Sequence, residues 1–332
     1  MSSPARKKKK KTARTRAVGK TPSRRTVGKK PSRREVARTI KALCLKAEKA
    51  REKCDHEASR AALEKALALD PQCSDAIWWL GDYWHTVGKR APALRFYRRY
   101  LRKHPGDPEA VHMIASLGGR AAPKRASDDY LKLHFDSYAE DFDKSLVKEL
   151  EYQAPAVLAR LIARARGRKS ARADICDLGC GTGLVGVALK DIARTLTGVD
   201  LSRGMLSKAR DRGIYNRLSN SEVTRFLKGN KGAYDIVTAA DVLIYIGDVT
   251  ALFAAAAAAL RPGGLLAISA ELGKSGSYAL TISGRYSHNP AWLRGLAAKN
   301  GLSVVAEAKK GLRYEMGEPV PGYYAVLRKP AR

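Results

Sequence analysis

The sequence predicts an α/β domain with a mostly parallel sheet in the C-terminal half, preceded by an all-α helical domain. Two observations carry this prediction. After residue 172, short apolar runs alternate with helical stretches, as in a parallel sheet whose strands are joined by helices. Between residues 34 and 119, apolar residues recur at helical spacing instead. The length of 332 residues fits two folded units of about 100–200 residues each.

The charge of the chain is concentrated at its N-terminus. Lys and Arg number 63 against 32 Asp and Glu, a net +31, and residues 1–38 hold sixteen of these bases and one acid. Residues 1–34 have too little apolar surface to offset the entropy of ordering, so we expect a disordered basic tail. Residues 1–38 can bind nucleic acid, ribosomes or an anionic membrane surface through phosphates. The alternative is a solubilising extension with non-specific RNA affinity, since the tail has no aromatic residue to stack on bases.

Membrane insertion and secretion are not predicted. The longest apolar run, residues 251–260, ends at Arg261 and Pro262, whereas about 20 residues are needed to span a bilayer. The basic N-terminus is not followed by the apolar segment of a secretory signal. The five cysteines are odd in number and lack paired metal-type spacing. We therefore expect a cytoplasmic protein with reduced cysteines and no metal site.

The helical domain, residues 35–119, resembles tetratricopeptide (TPR) repeats. Two of its segments end in Pro71 and Pro105, which are 34 residues apart, the TPR period. Leu80 and Gly81 supply the Leu-Gly pair of the second unit, which the first unit lacks. About two and a half repeats are marginal for an independent solenoid, so we expect them to dock on the next domain. TPR repeats usually hold peptides, which makes a protein partner one candidate.

Residues 120–171 are predicted to be a linker followed by an N-terminal helical lid. A polar stretch, residues 121–127, precedes an amphipathic segment, residues 130–149, and an apolar helix follows at residues 156–165. The α/β domain then occupies residues 172–329.

A glycine-rich loop lies between the first predicted strand, which ends at Leu178, and a helix over residues 184–189. Glycines allow the backbone to approach a ligand closely, and the helix N-terminus presents free N–H groups. The second strand ends at Asp200, 23 residues after Asp177. An acid at that position can accept hydrogen bonds from both hydroxyls of a ribose. The pattern indicates a nucleotide-like cofactor.

Several segments resemble class I, Rossmann-like S-adenosylmethionine (SAM)-dependent methyltransferases. They are residues 177–183 (motif I), residues 198–202 and 205–209 (motif II), residues 234–241 (the fourth strand) and residues 260–264 (the turn into the fifth strand). The resemblance implies a mostly parallel seven-stranded sheet with an antiparallel last strand. The rival is a nicotinamide-binding Rossmann domain, in which Gly186 could fill a further glycine position. That family has a different glycine spacing and lacks the Pro-Gly-Gly turn.

More narrowly, the chain resembles predicted methyltransferases that carry N-terminal TPR repeats. This resemblance covers about residues 40–328 and rests on residues 134–143, 240–248 and 283–288. It implies that Phe135, Tyr138 and Phe142 form a lid over the cofactor. The alternative is that these aromatics belong to a helix packed on the sheet.

The resemblance also implies roles in SAM binding. The loop glycines would approach the methionine portion, and Asp177 would orient the amino group or the loop. Asp200 would bind the ribose hydroxyls, with Leu201 or Ser202 beside the adenine and a further adenine contact from residues 218–222. The implied cofactor-binding residues are Asp177, Gly179, Cys180, Gly181, Thr182, Gly183, Asp200, Leu201, Ser202, Asp241 and Tyr138.

Methyl transfer from a sulfonium requires alignment of the acceptor and exclusion of water. A general base is needed only when the acceptor is not already nucleophilic. Asp241, Tyr245 and His288 are the candidate catalytic residues, because the carboxyl ends of parallel strands form the ligand edge of such sheets. For His288 the alternative is surface hydrogen bonding or capping of the helix that follows it. Arg285 is a candidate anchor for an acceptor carboxylate or phosphate.

The methyl acceptor is open at the level of sequence. No Asn-Pro-Pro-Tyr or Asp-Pro-Pro-Tyr follows the fourth strand, which disfavours methylation of a planar amide or base nitrogen. A small molecule or lipid-like compound is the leading interpretation. The alternatives are a protein docked by the TPR-like repeats, an rRNA or tRNA tethered by the basic tail, and a non-catalytic SAM-binding adaptor. The intact glycine loop and Asp200 argue against the adaptor.

Overall fold

A computed structural model describes residues 31–140, 142–143, 151–167, 171–315 and 317–331. The predicted basic tail lies outside the described residues as far as residue 30. Five helices come first along the described chain. They are α1 (Arg33–Glu52), α2 (His56–Leu69), α3 (Ser74–Thr86), α4 (Arg90–Lys103) and α5 (Pro108–Ser116). The all-α prediction for this region is confirmed, while its assignment to the TPR family stays a prediction.

Local side chains fix where three of these helices, α1, α2 and α5, begin. The Ser32 backbone N–H donates to the Glu35 carboxylate at 2.7 Å, and the Glu35 N–H donates to Ser32 Oγ, which forms a capping box at the start of α1. Asp55 caps α2, and Asp107 caps α5 with Pro108 in its first turn. Because each cap satisfies orphan N–H groups, the helical hairpins have defined ends and a fixed packing register.

Gly81 allows α3 and α4 to approach each other closely. A Cβ at Gly81 would lie 2.9 Å from ring atoms of Tyr97, whereas a Cβ at the exposed helical Gly295 would meet nothing within 4 Å. Alanine normally favours a helix over glycine by about 0.5–1 kcal/mol, but overpacking costs about 1–3 kcal/mol.

We expect Gly81→Ala to lower the free energy of unfolding by roughly 1–2 kcal/mol and Gly295→Ala to raise it by about 0.5–1 kcal/mol. Urea unfolding followed by circular dichroism measures both variants. Equal effects of the same sign would contradict the close helix packing.

The lid helix and a buried helix connect the two domains. They are α6 (Asp128–Tyr138) and α7 (Ala154–Arg166). Ser127 caps α6 by accepting the Tyr130 N–H at 3.2 Å. Residues 144–149 of the predicted amphipathic segment lie outside the described residues. The apolar helix predicted for residues 156–165 is α7, and its Leu158 and Ile162 are fully buried against the sheet.

The α/β domain alternates strands and helices as predicted. Its strands are β1 (Ala173–Leu178), β2 (Ala193–Asp200), β3 (Arg217–Asn220), β4 (Tyr234–Ala239), β5 (Leu260–Leu272), β6 (Tyr278–Leu280), β7 (Tyr286–His288), β8 (Ser303–Glu315) and β9 (Glu318–Arg328). Its helices are α8 (Leu184–Leu189), α9 (Arg203–Asp211), α10 (Val223–Lys228), α11 (Thr250–Ala259) and α12 (Pro290–Lys299). None of the helices in the described ranges is long and apolar enough to cross a bilayer.

The strand order determines at which edge of the sheet a ligand can bind. Strands β3, β2, β1, β4 and β5 are parallel neighbours in that order, β9 pairs antiparallel with β5, and β8 pairs antiparallel with β9. The predicted mostly parallel sheet with an antiparallel strand at its end is confirmed, but the sheet has nine strands in the described residues and not the predicted seven, because β6 and β7 are added beside β5. The strand order reverses at β1, which lies between β2 and β4. Ligands bind at such switch points, outside the carboxyl ends of the strands.

A short hairpin, β6–β7, extends the end of β5 and was not predicted as strands. Strand β7 pairs in parallel with β5 through Glu271 and Ser287. The helical domain contacts this hairpin, because His112 Nε2 donates to the Gly284 carbonyl at 2.7 Å. Tyr286 of β7 in turn donates to the Pro123 carbonyl at 2.7 Å. The helices therefore dock on the α/β domain, as their small number of repeats predicts.

Candidate active site

A cavity of about 470 Å³ opens at the carboxyl ends of β1, β2 and β4. The loops after these three strands form its floor, and α6 with the segment that follows it forms its roof. This volume lies within the roughly 300–1,000 Å³ of typical small-molecule sites. Residues that are far apart in the sequence meet here because the strands end at one edge of the sheet.

The glycine-rich loop forms one wall of the cavity. Its lining residues are Gly179, Cys180, Gly181 and Thr182. Gly179 and Gly181 have φ values of +57° and +53°, which L side chains rarely adopt. A Cβ at Gly179 would lie 2.6 Å from a Val242 methyl, so the loop could not keep this path with another residue. Gly183 does not line the cavity but stands at the start of α8.

Asp177 lies in β1, directly before the glycine-rich loop, and does not line the cavity. Its side chain is 1% exposed and accepts hydrogen bonds from Thr238 Oγ1 at 2.8 Å and from the Tyr215 hydroxyl at 2.7 Å. Burial raises the pKa of Asp177 to about 6. Of the two roles implied for Asp177, orienting the loop agrees with this placement.

Asp200, at the end of β2, has the geometry of a ribose-binding acid. Its Oδ2 accepts the Gly181 N–H at 2.9 Å, and its Oδ1 accepts the Ser202 N–H at 2.8 Å. A carboxylate has about four acceptor sites, so two remain for a pair of hydroxyls. Burial raises the pKa of Asp200. Since Asp200 also lines the cavity, the residues present fit a nucleoside cofactor.

Leu201 lines the cavity next to Asp200, whereas Ser202 lies behind the wall. Ser202 is 1% exposed, and its Oγ caps α9 by accepting the Met205 N–H at 3.0 Å. From the predicted adenine segment, residues 218–222, Glu222 reaches the cavity. Its carboxylate caps α10 by accepting the N–H of Thr224 at 2.9 Å. The apolar lining of this end includes Leu201, Met205 and Val223.

The lid aromatics lie in the cavity wall. Phe135, Tyr138 and Phe142 all line it, with Phe142 at 6.2 Å from Phe135 and 5.6 Å from Tyr138 between ring centroids. This arrangement favours the lid over a helix packed on the sheet.

Two lid carboxylates that sequence reasoning missed tie the lid to the cofactor loops. Asp136 accepts from Ser202 Oγ at 2.5 Å and from the Gly204 N–H at 3.0 Å. Asp143 accepts from Thr182 Oγ1 and forms an ion pair with Arg212. The sequence signal that could have identified these two carboxylates is their position beside the lid aromatics, since both belong to the segment of residues 134–143.

Asp241, after β4, belongs to a buried ion-pair cluster at the other end of the cavity. It has φ +52°, uncommon for a residue with a side chain. Its Oδ1 accepts from Ser269 Oγ at 2.9 Å, and its Oδ2 pairs with Arg313 at 3.0 Å. Burial raises the pKa of Asp241. Because the Arg313 guanidinium and the Ser269 hydroxyl are already bonded to the Asp241 carboxylate, Asp241 is poorly placed to act as a general base.

Arg313 organises this cluster, and sequence reasoning missed it. Its side chain is 4% exposed and also pairs with Glu271 at 2.5 Å and Glu315 at 2.7 Å. Arg285 pairs with the same two glutamates. Three carboxylates, including that of Asp241, thus surround two guanidiniums. With all five groups ionised the cluster carries −1, and Arg285 is not free to anchor an acceptor anion as expected.

Tyr245 lines the cavity in contact with the lid. Its ring meets that of Phe135 edge to face, with centroids 5.3 Å apart. Burial raises the pKa of Tyr245 to about 12, so the phenol stays protonated at neutral pH. Tyr245 can donate a hydrogen bond to an acceptor but cannot serve as a base under those conditions.

His288 requires a correction. The side chain is fully buried behind the cavity, and Nε2 donates to the carbonyls of Ile246 at 2.9 Å and Gly247 at 3.1 Å. The ring stacks on Trp292, and burial lowers the pKa of His288 to about 4. His288 therefore packs the β7 end of the sheet, and Asn289 rather than His288 caps α12. A histidine that is buried behind the cavity wall cannot reach a proton of the acceptor.

Residues 150–307 match the family model of a methyltransferase domain. The chain carries a methyltransferase domain. This match supports the resemblance to class I, SAM-dependent methyltransferases and favours it over the nicotinamide-binding rival. The residues that would hold SAM are those of the glycine loop, Asp200 and the lid.

The methyltransferase domain is similar to named proteins over part of their length. Human methyltransferase-like protein 27 is 34% identical over 147 residues, 43% of this chain and 59% of that protein. A ubiquinone biosynthesis O-methyltransferase from Thiobacillus denitrificans is 28% identical, over 42% of this chain and 68% of that protein. The chain thus spans about half to two thirds of such relatives. A magnesium protoporphyrin IX methyltransferase structure from Synechocystis is 18% identical with a TM-score of 0.48, over 61% of this chain and 99% of that one.

Proposed function

We propose that this protein transfers a methyl group from SAM to a small-molecule or lipid-like acceptor. The observation that carries this proposal is the continuity of the cavity. The glycine loop and Asp200 line one half, and Tyr245, Arg285 and Arg313 line the other. A cofactor held in the first half would direct its reactive end toward the second.

The first half supplies binding and orientation. Asp200 would accept from the ribose hydroxyls, Leu201 and Met205 would cover the adenine, and the backbone at Gly179 and Gly181 would admit the methionine portion. When bound, SAM supplies a methyl carbon already activated by its sulfonium. The protein's own work is then to align the acceptor and exclude water, which the lid accomplishes by covering both halves.

The second half supports a small acceptor more than a macromolecule. The lid side chains Phe135, Tyr138 and Phe142 cover the site, and the total volume is about 470 Å³. Once a cofactor of SAM's size is bound, the remaining space suits a compact molecule. A protein or RNA acceptor would have to thread a single side chain or base beneath this lid.

The helices α1–α5 are proposed to be a TPR-like module whose main role is to support the site. Their contact with the β6–β7 hairpin lies next to Arg285, at the acceptor end of the cavity. We propose that the chain divides into a tail (1–34), helical repeats (35–119), a linker with lid (120–171) and a methyltransferase domain (172–329).

Incubation with methyl-labelled SAM and fractionated cell extract tests the function. We expect label in the small-molecule or lipid fraction and none with Asp200→Ala. Label in protein or in RNA would support those acceptors instead, and no transfer to any fraction would favour the non-catalytic adaptor. Deletion of residues 1–30 leaves the Ser32 cap in place and tests the tail. Unchanged RNA affinity after that deletion would contradict a nucleic-acid role.

A further inference from the structure

His134 on the lid helix α6 lines the cavity near Arg285 of the acceptor half, and the sequence motifs assign it no role. The side chain is half-buried. Its ring lies 5.1 Å from that of Phe135, 5.7 Å from that of Tyr130 and 6.4 Å from that of Tyr138, between centroids. Neither ring nitrogen makes a hydrogen bond to any residue in the described part of the chain. The imidazole is therefore available to a molecule in the cavity.

The carboxylates of Asp241, Glu315 and Glu222 on the described walls are occupied, and the phenol of Tyr245 is protonated. Asp241 and Glu315 are engaged by Arg313, and Glu222 caps α10. Tyr245 keeps its proton at neutral pH, as established above. Elimination thus leaves His134 as the acceptor-side group that is both basic and free of a partner.

The groups that face His134 keep it uncharged. Burial lowers the pKa of His134, and the positive charge of Arg285 lowers it further, with a contribution from His112 on α5. Tyr130 and Tyr138 flank the ring on its own helix. His112 stacks on Tyr130 at 4.4 Å between centroids, which fixes that side of the lid. A neutral imidazole is the form that can take a proton.

The ion-pair cluster next to His134 indicates the charge of the acceptor. Arg285 and Arg313 are each already paired with carboxylates, which belong to Asp241, Glu271 and Glu315. An acceptor carboxylate or phosphate would therefore find no free guanidinium in this cluster. A neutral hydroxyl compound needs no such partner, and a hydroxyl is the kind of nucleophile that needs a base.

We propose that His134 is the general base of this methyltransferase and that the acceptor is a neutral alcohol or phenol; this rests on the proposed function. The acceptor oxygen forms its bond to the methyl carbon, and the methyl–sulfur bond breaks with its electron pair remaining on sulfur. The hydroxyl proton passes to a ring nitrogen of His134 and from there to solvent. The products are a methyl ether, the thioether form of the cofactor and a released proton.

The test compares His134→Gln with His56→Gln, the same change at an exposed histidine of α2. Methyl-labelled SAM is the donor, and the small-molecule fraction that the wild type labels is the acceptor source. We expect His134→Gln to lower the single-turnover rate by roughly 10²–10⁴-fold. Affinity for S-adenosylhomocysteine (SAH), measured by calorimetry, should be unchanged in both variants, and the rate should be unchanged in His56→Gln.

Three further readouts separate a base from a merely structural residue. The wild-type rate should rise with pH through the pKa of His134, which lies below its usual 6.5, and His134→Gln should lack that limb. Added imidazole should restore activity to His134→Ala. Nitrogen NMR should show a neutral His134 ring at pH 7 in the free protein and in the SAH complex.

Each opposite result overturns a defined part of the proposal. A wild-type rate and pH profile in His134→Gln, or a protonated His134 at pH 7, overturns the base assignment. Labelled product that mild alkali releases as methanol is an ester, and it overturns the hydroxyl acceptor. If the wild-type protein labels no fraction, the proposed function itself fails, a result that is read from the wild type alone.

Discussion

Replacing Asp200 by alanine is expected to weaken SAH and SAM binding by roughly 10²–10⁴-fold, the largest effect on binding that the site predicts. The side chain has two acceptor sites left after its bonds to Gly181 and Ser202. Each hydrogen bond to a charged group contributes about 1.5–3 kcal/mol, so losing two ribose contacts accounts for this range. Calorimetric titration with SAH measures the change directly.

Two companion variants separate binding from loop distortion. Asp200→Asn keeps the size and one acceptor oxygen, so we expect an intermediate affinity. Asp191→Ala removes an exposed acid in the turn before β2 and should bind SAH as the wild type does. Wild-type affinity in Asp200→Ala would contradict the assignment of Asp200 as the ribose-binding acid.

Replacing Arg313 by methionine is expected to give the largest loss of stability, about 3–5 kcal/mol in the free energy of unfolding. The side chain is 4% exposed and neutralises Asp241, Glu271 and Glu315. Without Arg313, Asp241 loses its guanidinium partner, and Glu271 and Glu315 share only Arg285. Urea unfolding at pH 7 measures the loss.

The pH dependence and a control identify the cause of this loss. Without Arg313 the folded-state pKa values of the remaining carboxylates rise, so protonation stabilises the fold and the deficit should shrink as the pH falls toward about 5. Arg294→Met removes a half-exposed pair with Glu307 and should cost less than about 1 kcal/mol. Equal losses in the two variants, or a deficit independent of pH, would contradict a buried cluster at Arg313.

The strands of the α/β domain were predictable because buried parallel strands are short apolar runs with glycine or acid at their ends. β1 and β4 have the predicted starts, and every residue of β1 is buried. The β6–β7 hairpin was not predicted, since each of its strands has three residues and carries no alternation of its own. Its conformation depends on β5 and on His112, which are remote in sequence.

By itself, the sequence predicted the residues of the proposed cofactor half. Residues 177–183 and Asp200 lie on two consecutive strands and on the turn and helix between them, so their geometry is local and their motif can be read directly. The residues that form the proposed acceptor half could be identified only from the tertiary structure. Arg313 reaches Asp241 from 72 residues away, and His134 enters from a helix outside the sheet. His288 is excluded for the same reason, because burial and hydrogen-bond partners depend on contacts between segments that the linear order does not reveal.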